Sequence, residues 1–332
     1  MMRGNLVVMF CWMVLIGAFV PSNAAFAQQA APAPTKVVVG AYVNDLQNVD
    51  LASHSYIVDL YIWFRWSNRD IDVPATMEFM NIFPAQERVQ KLTYDKPLEM
   101  PDGTIYNVIR YQGAFSSKFL LESYPFDTQL LVVAIEDAEL GAEDLVYVPD
   151  AEGITINPDV RLPGYRIGKP EMRFSAKPYP TTFGDLSSPE TSAYSRVSLV
   201  IPITRPWISG LVKTLIPIFI AILCAGLALY IHPDHVEGRI GLVITALLTL
   251  VALQFTAAAD LPTVGYLMLI DQIYLVSFIY MLAVLARVVS ASWIDSDVSH
   301  DVVARRDRRA HIATTVLFSG VLAAMIVAGV NG

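Results

Sequence analysis

The chain has 332 residues, of which 54% are hydrophobic and only 16% charged, against roughly a quarter charged in ordinary soluble domains. With 23 Lys and Arg against 31 Asp and Glu, the net charge is −8, and no basic cluster is interleaved with aromatics. A soluble globular chain, a disordered chain and a nucleic-acid binder are all poor fits. The charge is also uneven. Residues 28–206 carry 15 basic and 23 acidic side chains, whereas 207–332 carry 7 and 8. The first stretch reads as a folded acidic domain and the second as membrane. The two cysteines, Cys11 and Cys224, lie in apolar runs, so the domain between them has neither a disulfide nor a thiolate metal site.

In chain order, Arg3, the apolar run Leu6–Val20 and the small-residue stretch ending Ala25-Phe26-Ala27 predict a signal peptide over residues 1–27. The alternative is an uncleaved anchor, for which the run is short. Residues 28–34 read as a loose lead-in. From Thr35 to Arg205 the pattern is short strands with no long helix. Tyr56–Trp66 alternates: Val58, Leu60, Ile62, Phe64 and Trp66 fall on one face, and Asp59, Tyr61 and Arg65 on the other. Val37–Val43, Ile105–Gly113, Thr128–Ile135 and Arg196–Ile203 are further strand candidates. Turn chemistry separates them at Pro101-Asp102-Gly103, Asn157-Pro158-Asp159, Pro163-Gly164 and Ser187-Ser188-Pro189. This predicts a β-sandwich of immunoglobulin-like type. A parallel α/β fold would need amphipathic crossover helices, and none is visible.

Four apolar segments follow: Trp207–Ile231, interrupted by Lys213 and Pro217; Ile240–Ala259, without charge; Val264–Ala286, with Asp271 alone; and Ile312–Val330. Each is long enough, at 1.5 Å per residue, to cross roughly 30 Å of hydrocarbon. The expected architecture is thus an α+β membrane protein, with a sandwich over residues 28–206 and a four-helix transmembrane bundle over 207–332. His232, His235 and Arg239 flank the first connection. The third, Arg287 to Arg309, contains Arg305, Arg306, Arg308 and Arg309, while the second has Asp260 and no cation. Positive-inside asymmetry puts the first and third connections in the cytoplasm and the sandwich outside.

The second span carries Thr245, Thr249 and Thr256 on one face, and a neighbouring row Glu237, Gly241, Thr245, Leu248, Ala252, Phe255 and Ala259 at spacings of three and four. The periodicity does not choose between the two as a water-facing surface. Threonines also bond back to their own helix, and small residues also occur at ordinary helix contacts.

Tyr124-Pro125-Phe126-Asp127-Thr128-Gln129 resembles the signature loop of pentameric ligand-gated ion channels, the Cys-loop receptor superfamily. Arg205-Pro206, Pro217 and Leu261-Pro262 fall where that family has them. Asp271-Gln272, Met77-Glu78-Phe79-Met80-Asn81, Pro101-Asp102-Gly103 and Tyr194-Ser195-Arg196 are similar to its prokaryotic, amine-gated branch. The resemblance covers nearly all of 37–330. It departs from the animal receptors in lacking the loop cysteines and a long cytoplasmic insertion, with only the short link Ser290–Arg309.

What the resemblance implies is a homopentamer, each chain meeting four identical subunits, that conducts monovalent cations when a small-molecule agonist binds. It implies a place among the lipids of a bacterial inner membrane, with the sandwich and C-terminus periplasmic. The row Glu237, Gly241, Thr245, Leu248, Ala252, Phe255 and Ala259 would line the pore, with rings of Leu248 and Phe255 as apolar constrictions and Glu237 selecting cations. Arg239 should point away from the axis. The agonist site would take Glu78, Glu136, Phe183 and Tyr194 from one subunit and Tyr42 and Tyr61 from its neighbour. Carboxylates and aromatic faces suit a small ammonium ligand. Ala138 stands where the amine-gated relative has an aromatic. Coupling would run through Tyr124, Pro125, Phe126 and Asp127 pressing on Asp260, Leu261 and Pro262, with Arg205 paired to Asp127 or a nearby acid.

Other chemistry is thin. His232 and His235 flank Pro233 and read as interfacial, and His54 is the sandwich's single histidine. Glu136, Asp137, Glu139, Glu143 and Asp144 form an acidic loop, either simply solvated or open to divalent cations. No nucleophile–base arrangement, metal-ligand set or cofactor cradle is visible. Three alternatives share the topology: a proton-gated channel of the same fold, a four-span sensor that binds a solute without conducting, and a membrane enzyme or transporter subunit. The last would need more intramembrane ionisable groups than Asp271 and Lys213.

Overall fold

The computed structural model describes residues 33–84, 88–184, 192–293 and 300–331. The expected signal peptide over 1–27 and the expected turn at Ser187-Ser188-Pro189 lie outside them.

Eleven strands among the described residues form two sheets. The larger has the order β4 (Val89–Leu92), β6 (Ile105–Ser116), β2 (Ser55–Trp66), β1 (Thr35–Asp50), β8 (Leu145–Ile156), with β5 (Leu98–Glu99) on β6. The smaller has the order β10 (Glu171–Tyr179), β11 (Ser192–Thr204), β7 (Thr128–Asp137), β3 (Met77–Phe79), with β9 (Arg166–Ile167) on β11. Pairing is antiparallel except between β1 and β8. The core is the product of alternation: Val37, Val39, Ala41 and Val43 of β1 and Val58, Leu60, Ile62 and Phe64 of β2 face Leu131, Val133 and Ile135 of β7 and Val197, Leu199 and Ile201 of β11, all buried. All five expected strands are present. β8 and β10 escape a pattern search for different reasons. β8 is broken by Pro149, Asp150 and Gly153, and β10 is a sheet-edge strand with no buried residue.

Four helices long and apolar enough to cross a membrane follow, with spans at Trp207–Tyr230, Val236–Ala259, Leu269–Ala291 and Val302–Gly329. In the first, residues Leu211–Leu215 form a wider π turn just before Pro217, whose missing N–H the irregular turn accommodates. The second starts at Val236, earlier than the uncharged stretch suggests, so Glu237 and Arg239 belong to its first turn.

The third and fourth boundaries correct the expectation more strongly. The third helix is Leu269–Ser292 and does not start at Val264. Asp271 sits in its first turn, where its carboxylate accepts from the Met268 N–H at 3.0 Å. An acid there satisfies a free amide and faces the positive end of the helix dipole. Residues Val264–Met268 precede that helix: Val264 and Tyr266 pack against the apolar core, Met268 is buried, and the Tyr266 hydroxyl meets the Leu121 N–H of the sandwich. The fourth helix is His300–Asn331, so Arg305, Arg306, Arg308 and Arg309 lie on helix and not in a connecting loop. Arginine is a good helix former that a hydropathy window rejects for its charge.

Candidate functional site

Three places on this scaffold carry the expected residues. The first is a recess of about 310 Å³ at the end of the smaller sheet, lined by Glu78, Met80, Glu136, Asp137, Ala138, Tyr179, Phe183 and Tyr194. Glu78 and Glu136 are directly opposite on β3 and β7. Tyr194 on β11 stands opposite Lys177 on β10, which brings Tyr179 two residues further along beside it. Ring centroids lie 5.4 Å apart for Tyr179–Phe183, 5.9 Å for Tyr179–Tyr194 and 6.3 Å for Phe183–Tyr194, all edge-to-face. Tyr179 was invisible as a site residue, because only the β10–β11 register brings it there. It supplies aromatic surface on the recess that Ala138 leaves bare. Phe183 adopts φ = +53° and stays exposed, its ring open to a ligand.

The four residues expected from one subunit are therefore together, but their charges differ from expectation. Glu136 is buried, paired through one oxygen with Arg196. Its other oxygen accepts from the Tyr179 hydroxyl at 2.9 Å, and Arg196 also donates to that hydroxyl at 3.0 Å. Burial, with the Glu136 hydrogen bond next, pushes the Tyr179 phenol above its usual range. Asp137 is likewise occupied: Thr76 donates at 2.5 Å, and the Glu139 and Leu140 amides donate at 3.0 and 2.8 Å. Glu136 therefore cannot be the free counter-charge of a cationic ligand. Glu78 is exposed and makes no ion pair among the described residues.

Tyr42 and Tyr61 are not brought to this recess. They are cross-strand partners on β1 and β2, on the outer face of the other sheet. Arg110 lies over the Tyr61 ring at 5.4 Å and pairs with Asp59 at 2.8 Å, and Asn44 donates to the same carboxylate at 2.8 Å. The hydrogen bond from Arg110 holds the Asp59 carboxyl below its usual range.

The second place is the base of the sandwich. Arg205, at the end of β11, donates to Asp127 at 3.0 Å and to the Tyr165 hydroxyl at 2.8 Å. Its guanidinium lies between the Tyr124 and Tyr165 rings at 5.0 and 4.8 Å. Asp127 is buried, and its other oxygen accepts from Gln129 at 2.7 Å. The expected pairing of Arg205 with Asp127 is thus observed, with Tyr165 as a further partner that no pattern in the chain announces. The loop also touches the helices. Leu121 N–H donates to the Tyr266 hydroxyl at 3.0 Å, and Leu269 N–H donates to the Glu122 carbonyl at 2.8 Å. A Cβ on Gly210 would come within 2.9 Å of the Pro125 carbonyl, so loop and first helix are in close contact. Tyr124, Pro125 and Asp260 border one cavity of about 300 Å³, and Leu261 and Pro262 border another of about 240 Å³. Phe126 is half-buried against the apolar core.

The third place is the second helix. Glu237, Gly241, Thr245, Leu248, Ala252, Phe255 and Ala259 are all exposed, with Leu248 at 64% and Phe255 at 74%. Arg239, Val243, Ala246 and Leu250 are the buried set. Thr245, Thr249 and Thr256 each donate to the carbonyl four residues back, at 2.8, 2.9 and 3.0 Å. Their hydroxyl protons are spent on the helix itself, which leaves lone pairs outward. Arg239 does turn away from the exposed row. It is fully buried and held by Asp307.

A gamma-aminobutyric acid receptor subunit beta of Lymnaea stagnalis is 23% identical to this chain over 194 residues, which is 58% of the chain. The matched region is 37% of that relative, so the chain spans well under half its length. No protein-family model matches the chain. The β-rich domain followed by four apolar helices is consistent with the Cys-loop receptor fold, and with that similarity it supports a multi-pass membrane protein.

Proposed function

We propose that the chain is a subunit of a homopentameric, ligand-gated, cation-selective channel of the Cys-loop superfamily. The observation that carries this reading is the second helix, whose buried side packs within the bundle while seven residues in a single row stay exposed among the described residues. Five such faces around an axis would enclose a path with apolar rings at Leu248 and Phe255, which can close by dewetting, and a carboxylate ring at Glu237. The acidic sandwich would concentrate cations above it. The cytoplasmic ends would be those nearest Arg239 and the fourth-helix arginines, by charge asymmetry.

The recess supports a small organic ammonium as agonist. Three aromatic edges and faces surround it, and one exposed carboxylate, Glu78, is available for charge pairing. Tyr42 and Tyr61 of a neighbouring copy would complete the site. Binding energy would open the pore only to the extent that the open interface binds the ligand more tightly than the closed one.

The test is current across bilayers containing the purified full chain in a KCl gradient, with a panel of primary alkylamines. Amine-evoked currents reversing near the potassium potential are expected, with five subunits per imaged particle. Silence to every amine removes the ligand assignment. Reversal near the chloride potential removes the selectivity assignment, and any other subunit number removes the pore geometry.

A further inference from the structure

Three charged side chains from three helices meet at the inner end of the bundle. Arg239 of the second helix and Asp307 of the fourth are both fully buried and paired through one carboxylate oxygen. Arg239 Nε also donates to the Ala228 carbonyl, at the end of the first helix, at 3.0 Å. Arg287 of the third helix reaches the other Asp307 oxygen at 2.6 Å and is a quarter exposed. One carboxylate thus joins two guanidiniums and, through Ala228, all four helices.

Such a cluster is not explained by stability. Each buried ion loses several kcal/mol of hydration, and well-packed apolar residues in the same volume are often as stable or more so. Its placement is the informative part. Glu237 stands two residues before Arg239, about 200° around the helix at 100° per residue, and it is exposed. One turn of helix therefore carries opposite charges on opposite sides, the cation buried and compensated, the anion bare. If Arg239 were free it would sit beside Glu237 at the same level and cancel it, subunit by subunit.

We infer that Asp307 is a positioning residue for ion selectivity: it clamps Arg239 against the first helix and leaves Glu237 as the uncompensated charge at the inner mouth. This rests on the reading of the second helix as pore-lining. It places a determinant of permeation on the fourth helix, which contributes no residue to the proposed pore.

The experiment measures reversal potentials of the full chain in a KCl gradient. Wild type comes first: without a preference for potassium it is the channel reading that fails, not this inference. Given that preference, Asp307→Asn should lower the cation-over-anion permeability ratio about tenfold, the scale on which local potentials of a few kT redistribute ions. The double variant Arg239→Gln/Asp307→Asn, which removes the one guanidinium on the same helical turn as Glu237 (Arg287, also released, is on the third helix), should return the ratio to within about twofold of wild type on the same argument. A structural role alone would change yield or thermal stability and leave reversal unmoved. Conducting Asp307→Asn with wild-type reversal overturns the inference, as does a double variant that keeps the altered ratio. Should Asp307→Asn not assemble, a double variant that assembles and prefers potassium as wild type does supports it. Failure of both to assemble marks the cluster as structural and also overturns it.

Discussion

Arg196 closes an ion pair with Glu136 at the floor of the aromatic recess, and the Tyr179 hydroxyl bridges the two. The carboxylate that looks best suited to an ammonium ligand is already neutralised inside the subunit. The neighbouring Glu78 has the opposite character, exposed and unpaired among the described residues. Two acids on facing strand positions therefore differ in character, Glu136 holding β7 to β11 and Glu78 exposed, where the proposed function would have it meet an ammonium ligand.

Charge removal should separate those tasks. Glu78→Gln is expected to weaken activation by a primary amine about tenfold, the loss of one charge-assisted contact, with thermal stability unchanged. Glu136→Gln leaves Arg196 without its counter-charge and should cost about 3 kcal/mol, seen as a lower unfolding temperature of the purified protein. Equal dose–response shifts without a stability difference would contradict the division.

Arg205 anchors the junction through two different interactions, which can be dissected. Tyr165→Phe removes one hydrogen bond to a charged group and keeps the ring, so about 1.5 kcal/mol of stability is expected to go. Asp127→Asn removes the buried counter-charge and should cost about 3 kcal/mol or more. In current recordings both should lower the maximal response more than they shift the half-maximal amine concentration, because neither residue lines the recess.

Leu248 and Phe255 are large apolar side chains held out of the bundle. Leu248→Ser should raise current in the absence of agonist several-fold by wetting the constriction. Unaltered resting current in both Leu248→Ser and Phe255→Ala would show that the barrier to ions lies elsewhere.

Gly40 lies under the indole of Trp63, where a Cβ would fall 2.2 Å from a ring carbon. Trp63 donates from Nε1 to Asp150 at 2.7 Å. Gly40→Ala must displace that ring and break its bond, an overpacking cost of about 1–3 kcal/mol. Chemical unfolding followed by tryptophan fluorescence would record both the loss and the changed environment.

His54 accepts from the Phe119 amide at 3.0 Å through Nδ1, between the β1–β2 turn and the loop that meets the helices. Burial, and then Lys118, lower its pKa from 6.5, against a smaller opposing pull from Asp50. A lowered value means the folded state resists the proton that the unfolded chain accepts. Stability should therefore hold above pH 6.5 and fall as pH drops through the lowered folded-state value. His54→Gln should flatten that slope in a pH series of thermal melts. An identical slope in the variant would assign the pH dependence to other groups.

Much of this architecture is legible without coordinates because it depends on local properties. Alternation along Tyr56–Trp66 names its buried face, and the length of each apolar run names a span. Helical period places Glu237 to Ala259 in one row but leaves the threonine face as an equal choice, and the resemblance selects between them. Errors arise where apolar character has another cause. Val264–Met268 is apolar but not helical, with Met268 buried and Tyr266 meeting the sandwich at Leu121, and the fourth helix begins among arginines that a hydropathy window discards.

Period and length, carried by neighbours in the chain, are enough for the sandwich and the four spans, whereas the row on the second helix is singled out by the resemblance and its exposure is a property of the packed bundle. Which charges remain available is set by contacts that exist only in the folded chain. Arg239 and Asp307 are 68 residues apart, and Glu136 and Arg196 are 60 apart. A buried ion is tolerable when a partner lies within a few ångströms, and that proximity is a property of the folded chain, which no spacing in the sequence encodes.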